Sequence, residues 1–294
     1  MSHTQGIAPL ETLKRKPRDD EIDIYGLTHT GKLRAENQDH FVIGSLQKRL
    51  NIRQSSLPEL NKIPLAESRV AFFMMVADGV GGGMKGEQAS RMALEVATKY
   101  IAESTRCYYR VDEEDLNLVQ ELEEGAKRSH EAIQKSAAAD PDARGMATTL
   151  TLFIGVWPWI YLLQAGDSRY YQYYDGVLTQ WSRDQTVAQE LADQGIMPRD
   201  RVSKSPMAHV LSSSIGGPQT APVVTRIPNS WGRTHLLCSD GLTKHVSDER
   251  IAKQLGEMRS ARQVCDDLLQ EALEGGGTDN ITIVVGRAIP KNID

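Results

Sequence analysis

Apolar positions along this chain change spacing in blocks, and the blocks predict the elements. Ile22–His29 (IDIYGLTH) alternates and Val70–Ala77 (VAFFMMVA) is uninterrupted, which predicts two strands, the second covered on both faces. Between them lies a polar insertion, roughly Gln47 to Ser68. From Gly86 onward Ala89, Met92, Ala93, Val96, Ala97, Tyr100 and Ile101 recur at three and four residue intervals, predicting an amphipathic helix to about Ser104. A charged connector, YYRVDEED, leads to a second helical stripe of Val119, Leu122, Ala126 and Ile133, with His130 on the same face as a packed or boundary histidine.

From Thr148 the runs TTLTLFIGV, WIYLLQAG, RYYQYYDG and VLTQWS predict a meander of antiparallel strands, with Asp175-Gly176 as a hairpin turn. Thr186–Gln194 reads as a short helix and Gly195–Ser205 as a surface loop, and we expect Val187–Gly217 to form a mobile flap. The last third predicts strands at Pro222–Ile227, Arg233–Ser239 and Asn280–Ala288, with helices near Asp248–Leu255 and Ala261–Leu273. Ser260 and Gln263 make a capping-box pattern for the second helix, and Gly275–Gly277 stop it. Segregated blocks of strands and helices, rather than strict alternation, imply an α+β layered domain.

With 294 residues, the chain is long enough for one large core, and we expect a polar N-terminal tail over 1–20 followed by a single domain over 21–290. No apolar stretch reaches membrane-spanning length, so no membrane partner is expected. A net charge of -5 argues against a sequence-independent grip on nucleic acid, which requires a basic face. Cys107, Cys238 and Cys265 are odd in number and widely spaced, which suits a reducing, cytoplasmic setting better than a disulfide framework. They also lack the Cys-x5-Arg phosphate loop, and the scattered histidines give no zinc motif.

The chemistry concentrates in aspartates at the ends of apolar runs: Asp78 in VADGVGGG, Asp167 in LLQAGDSR, Asp240 in HLLCSDGLT and Asp279 in GGTDNITIVV. One Asp-Gly is ordinary turn chemistry, but four such carboxylates plus Asn37-Gln38-Asp39 suggest an oxygen cage for a hard cation such as Mg2+ or Mn2+. Gly79 lets the main chain approach closely, so its carbonyl is a candidate ligand while Asp78 bridges two ions. Arg34, in R-x-x-N-Q-D, supplies a planar cation able to grip phosphate oxygens.

Together Arg34-Ala-Glu-Asn37-Gln38-Asp39, Val-Ala-Asp78-Gly79-Val-Gly81-Gly82, Gly145-Met146-Ala147-Thr148-Thr149, Ala-Gly166-Asp167-Ser168-Arg169, Cys-Ser-Asp240-Gly241-Leu242 and Gly-Thr-Asp279-Asn280 resemble the metal-dependent serine/threonine protein phosphatases of type 2C, in their bacterial form. The resemblance covers roughly Ile22 to Arg287. It implies a four-layer αββα sandwich, two antiparallel sheets with a helix pair on each outer face. It also implies Asp78 as the bridging metal ligand, Asp240 and Asp279 at one ion, Asp39 and the Gly79 carbonyl at or near the other, and Asp167 with Asp240 toward a third. Arg34 falls on the phosphate-binding arginine. The implied cofactors are two Mn2+ or Mg2+ ions with room for a third, and the implied partners are phosphoprotein substrates of an opposing Ser/Thr kinase.

Three departures stand out. Val80 replaces a histidine proposed to protonate the leaving group, Asp184-Gln185-Thr186 replaces Asp-His-Ser, and Ala147 replaces a common glycine. Asp184 is then expected to be a structural hydrogen-bonding residue. Two rival readings were weighed. Gly81-x-Gly83-x-x-Gly86 matches a dinucleotide fingerprint, but the following segment lacks the buried parallel strand such a unit needs. A catalytically silent phosphoprotein-binding module would keep the fold, yet such a module has no need of so costly a carboxylate cluster.

Overall fold

The computed structural model describes residues 15–49, 51–56, 58, 68–81, 84–104 and 116–291. Residues 1–14 of the expected tail, half of the 47–68 insertion, the acidic connector, Gly82, Gly83 and Cys107 lie outside the described residues.

Two antiparallel sheets form the centre. One is ordered β1 (Ile22–His29), β11 (Ile281–Ala288), β10 (Thr234–Cys238), β7 (Arg169–Tyr174) and β8 (Val177–Gln180). The other is ordered β2 (Asp39–Lys48), β3 (Ser68–Val80), β5 (Leu150–Val156), β6 (Trp159–Ala165) and β9 (Val223–Pro228), with β4 (Ala147–Thr148) on the end of β3. Helices α1 (Met84–Glu103) and α2 (Leu116–Ala139) cover the second sheet, and α5 (Asp248–Gly256) and α6 (Ala261–Glu274) cover the first. Two shorter helices, α3 (Val187–Asp193) and α4 (Asp240–Thr243), lie beside the cleft described below.

Strand periodicity explains the four layers. On β3, Met75 and Ala77 face α1 and α2 together with Leu152 and Leu163, while Met74 and Val76 face the other sheet with Phe153, Tyr170, Leu237 and Val284. Successive side chains alternate faces, so a strand covered on both must be apolar throughout, which is why VAFFMMVA shows no alternation. A third apolar layer, Leu236, Cys238, Ile281 and Ile283 against Leu242, Ile251, Val264 and Leu268, seats the α5–α6 pair. The antiparallel arrangement excludes the dinucleotide reading, which requires parallel neighbours around the glycine loop.

Local signals behave as their chemistry predicts. Ser260 Oγ accepts from Gln263 N at 3.1 Å and starts α6, while the Gln263 side chain reaches back to Arg259 N at 3.0 Å. Asp175 (φ 48°) and Gly176 (φ 79°) close the β7–β8 hairpin. His130 is half-buried, its Nδ1 accepting from Gly216 N at 3.0 Å.

Other features differ from expectation. Asp39–Lys48 is a full strand that the periodicity did not predict, and Arg199–Lys204 forms a 3-10 turn inside the expected loop. The chain is also fastened before Glu21: Trp231 Nε1 donates to the Arg15 carbonyl at 3.0 Å, and Arg69 pairs with Asp19 and bonds the Pro17 carbonyl.

Candidate active site

Strand ends at one edge of the sandwich deliver every singled-out aspartate. Asp39 opens β2 directly opposite Asp78 near the end of β3. Asp167 follows Gly166 (φ 107°) in the β6–β7 turn, Asp240 begins α4 after β10, and Asp279 precedes β11. Arg34, Asp78, Gly79, Asp167, Asp240 and Asp279 line one cleft of about 710 Å³. Asp39 sits behind it, 2% exposed.

Neighbouring hydroxyls and amides fix these carboxylates through their backbones. Asp78 N donates to Thr149 Oγ1 at 2.9 Å, and its carbonyl accepts from Thr149 N at 2.9 Å and Thr148 Oγ1 at 2.8 Å. The two threonines of the Gly-Met-Ala-Thr-Thr motif therefore hold the strand end that carries Asp78. Asn280 works the same way on the other sheet: Nδ2 donates to the Thr30 and Glu36 carbonyls, each at 2.9 Å, and Oδ1 accepts from Gln38 N at 2.9 Å. It pins the loop that carries Arg34. Asp39 Oδ2 accepts from Thr282 Oγ1 at 2.8 Å, a bond from one sheet to the other.

So many buried carboxylates repel one another, and their proton affinities show it. Burial, then the charges of Asp39, Asp240, Asp167 and Asp279, lift Asp78 well above the usual carboxylate range. Burial and Asp240 raise Asp167 to about 8. Asp39 is raised to about 6 by burial, with hydrogen bonds from Ser239 and Thr282 opposing. Asp279 moves the other way: burial alone would raise it, but hydrogen bonds from Arg34 and Lys244 outweigh that and lower it.

The donor set suits divalent cations. All its side-chain ligands are hard oxygens, and Asp39 Oδ1 and Asp240 Oδ1 are buried without a hydrogen-bond partner. In the present rotamers, no three acidic, imidazole or thiol side chains among the described residues enclose a single point. The physical reason is visible: Arg34 Nε lies 2.7 Å from Asp279 Oδ1, and Lys244 Nζ lies 2.6 Å from Asp240 Oδ2 and 2.7 Å from Asp279 Oδ2. Two tethered cations draw these carboxylates toward themselves. The buried orphan oxygens and the all-oxygen donor set are the chemistry a divalent ion requires.

A model of the family described as Protein phosphatase 2C matches residues 65–275. The chain belongs to the protein phosphatase 2C family. It is 32% identical over 219 residues to the serine/threonine protein phosphatase PstP of Mycobacterium tuberculosis, a match covering 74% of this chain and 41% of PstP. The chain thus spans less than half the length of that relative. It is 30% identical over 213 residues to the serine/threonine phosphatase stp of Listeria welshimeri, covering 72% of this chain and 82% of stp. The crystal structure of the M. tuberculosis phosphatase superposes with a TM-score of 0.72 at 28% identity, covering 92% of this chain and 99% of that one. A second PstP structure, of the catalytic domain in complex with two manganese ions, gives 0.70 over the same shares.

Within this protein phosphatase 2C fold the sequence departures acquire physical roles. Val80 is 39% exposed and lines the cleft as an apolar wall. Gln185, in place of a histidine, clamps the Asp167 turn, its Nα donating to the Gly166 carbonyl at 3.0 Å and its Oε1 accepting from Gly166 N at 2.8 Å. Thr186 Oγ1 caps α3 by accepting from Gln189 N, and Ala147 is buried in β4. Asp184 is structural, as expected: Arg169 donates to it at 2.9, 3.1 and 2.7 Å.

Sequence reading missed two cleft residues. His209, from the segment expected to be a flap, places Nδ1 4.0 Å from Asp240 Oδ2, and nothing in its sequence context marks it. Lys244 follows Asp240 by four residues, the spacing of an ordinary helical ion pair, and only the fold adds Asp279 to it.

Proposed function

We propose that this chain hydrolyses phosphoserine and phosphothreonine in proteins by direct attack of water, without a phosphoenzyme. The reading rests on one observation, the convergence of Asp39, Asp78, Asp167, Asp240 and Asp279 from both sheets beside Arg34. In this reading two divalent ions, Mn2+ or Mg2+, would be held by Asp78 together with Asp240 and Asp279 and by Asp78 together with Asp39 and the Gly79 carbonyl, and Asp167 with Asp240 would serve a third. When bound, such ions supply the Lewis acidity that makes water nucleophilic near neutral pH and offsets phosphate charge.

The remaining steps belong to the chain itself. Arg34, at the cleft wall, would present its guanidinium to two phosphate oxygens and orient the phosphorus. Thr148, Thr149 and Asn280 hold the strand ends rigid, so little reorganisation is needed as charge develops. Among the described residues a cysteine nucleophile is disfavoured, since burial pushes the Cys238 and Cys265 thiols up to about 12.

The test is phosphate release from a phosphothreonine peptide with Mn2+, repeated with chelator and with Asp78→Asn and Asp240→Asn. Release that persists in chelator, or is unaffected by both substitutions, overturns the mechanism. Absence of turnover on p-nitrophenyl phosphate with Mn2+ would instead favour the silent binding module.

A further inference from the structure

Lys244 occupies the middle of the proposed ion site with no part in the scheme above. It caps the single turn of α4 that begins with Asp240, and its side chain is only 22% exposed. Its ammonium bridges Asp240 Oδ2 (2.6 Å) and Asp279 Oδ2 (2.7 Å), while Arg34 takes Asp279 Oδ1 at 2.7 Å. Both oxygens of Asp279 and one of Asp240 are therefore engaged by cations that the chain carries itself. Among the described residues no salt bridge engages Asp39 or Asp78; Asp39 Oδ2 accepts from a neutral hydroxyl, that of Thr282.

That asymmetry has an energetic consequence. An ammonium and a divalent ion cannot share the same carboxylate oxygens at contact distance, because their like charges would sit only a few ångströms apart in a poorly screened cleft. An ion entering between Asp240 and Asp279 must eject Lys244. An ion entering between Asp39 and Asp78 displaces protons but no tethered cation.

We propose that Lys244 is a tethered cation that competes with the ion held by Asp240 and Asp279, so that the two ions load unequally and the Asp39–Asp78 position fills first. The proposal rests on the two-ion reading above. A position closed by its own lysine about 90% of the time shows about tenfold weaker apparent affinity. Lys244 also gives these carboxylates a counter-charge whenever the ion is away, which steadies the end of β10 and the start of β11.

The test is calorimetric titration of Mn2+ into the full chain after chelator treatment, comparing wild type with Lys244→Met, Lys244→Gln and Lys244→Arg. Wild type should give two separated steps. The Met and Gln variants should tighten the weaker step about tenfold and leave the tighter one unchanged, whereas Arg, which keeps the charge, should resemble wild type. The melting temperature in chelator should fall for Met and Gln, and the Mn2+-induced rise should grow. To guard against an ion-free variant that does not fold, each protein is also prepared with Mn2+ bound and mixed with EDTA. Release of the weaker ion, followed by the paramagnetic resonance of Mn2+, should be slower without the lysine. Unchanged or weakened Mn2+ steps in Lys244→Met and Lys244→Gln would overturn the proposal and leave the two-ion reading standing. Failure of wild type to bind Mn2+ would overturn both.

Discussion

Gly241→Ala is the sharpest test that the turn carrying Asp240 and the strand end carrying Asp279, neighbours on one sheet, must meet at a fixed spacing for the site to work. Gly241 follows Asp240 in α4, and a Cβ built on it lies 2.9 Å from the Asn280 carbonyl carbon and closer still to its oxygen. Both atoms are backbone, so no side chain can rotate away. The overlap is roughly 1 Å or more, and its relief must part the 239–243 turn from the 279–281 segment by about that distance. That movement separates Asp240 from Asp279. Overpacking of this kind costs about 1–3 kcal/mol, and a displacement of about 1 Å in a catalytic constellation costs about 100-fold in rate. Urea denaturation should show the first effect, and kcat/KM on p-nitrophenyl phosphate at saturating Mn2+ the second. A variant within about threefold of wild-type kcat/KM would refute the reasoning, since the close approach would then be irrelevant to the site.

Three further outcomes follow from named contacts. Arg34→Ala should lower kcat/KM on a phosphopeptide roughly thirtyfold, about 2 kcal/mol of charge-assisted hydrogen bonding, while stability in urea changes by no more than about 0.5 kcal/mol because the Arg34 side chain is 55% exposed and Asp279 keeps Lys244. Arg169→Met should cost about 3 kcal/mol in urea denaturation by leaving Asp184 without its cation, the low end for a buried pair because both partners keep about a quarter of their exposure; a loss under about 1 kcal/mol would contradict this. Burial, reinforced by Arg233, lowers His235 to about 3, so from pH 6.5 downward the unfolded chain takes a proton that the folded one refuses. The His235 contribution should therefore be full above pH 6.5 and fall with acidification toward pH 3, and His235→Gln should remove about 1.4 kcal/mol per pH unit in that window, read as the wild-type minus variant difference in urea melts.

What the sequence disclosed depended on whether the relevant partner was local. The bounds of β1, the Ser260 cap of α6 and the Asp175-Gly176 turn were legible because each is set by residues within one turn or hairpin. The αββα layering needed the resemblance as well as the block order, since periodicity alone does not say which sheet a strand joins. β2 escaped because it is an edge strand whose Phe41, Val42 and Ile43 are all half-buried, which blurs the alternation that would reveal it, and because its last residues run into the polar insertion. Asn280 appeared only as part of a motif, for its partners Thr30, Glu36 and Gln38 are more than 240 residues away in sequence. Lys244 was hidden for the same reason, its second carboxylate arriving from a distant strand end.

These long-range ties also explain how a cluster of mutually repelling carboxylates is held together. Asp39 and Asp78 belong to one sheet, whereas Asp240 and Asp279 flank strands of the other, so the spacing between the pairs is the spacing between sheets. That spacing is fixed by the layer of Met74, Val76, Phe153, Tyr170, Leu237 and Val284, well behind the cleft, and is keyed at the rim by Thr282, whose hydroxyl meets both Asp39 Oδ2 and Thr28 Oγ1 at 2.8 Å. Close-packed interiors transmit changes of volume rather than absorb them. The apolar layer therefore does more than stabilise the fold: by setting how far apart two halves of the acidic cluster stand, it governs whether they act as one site, and substitutions there should reach the chemistry without touching a single carboxylate.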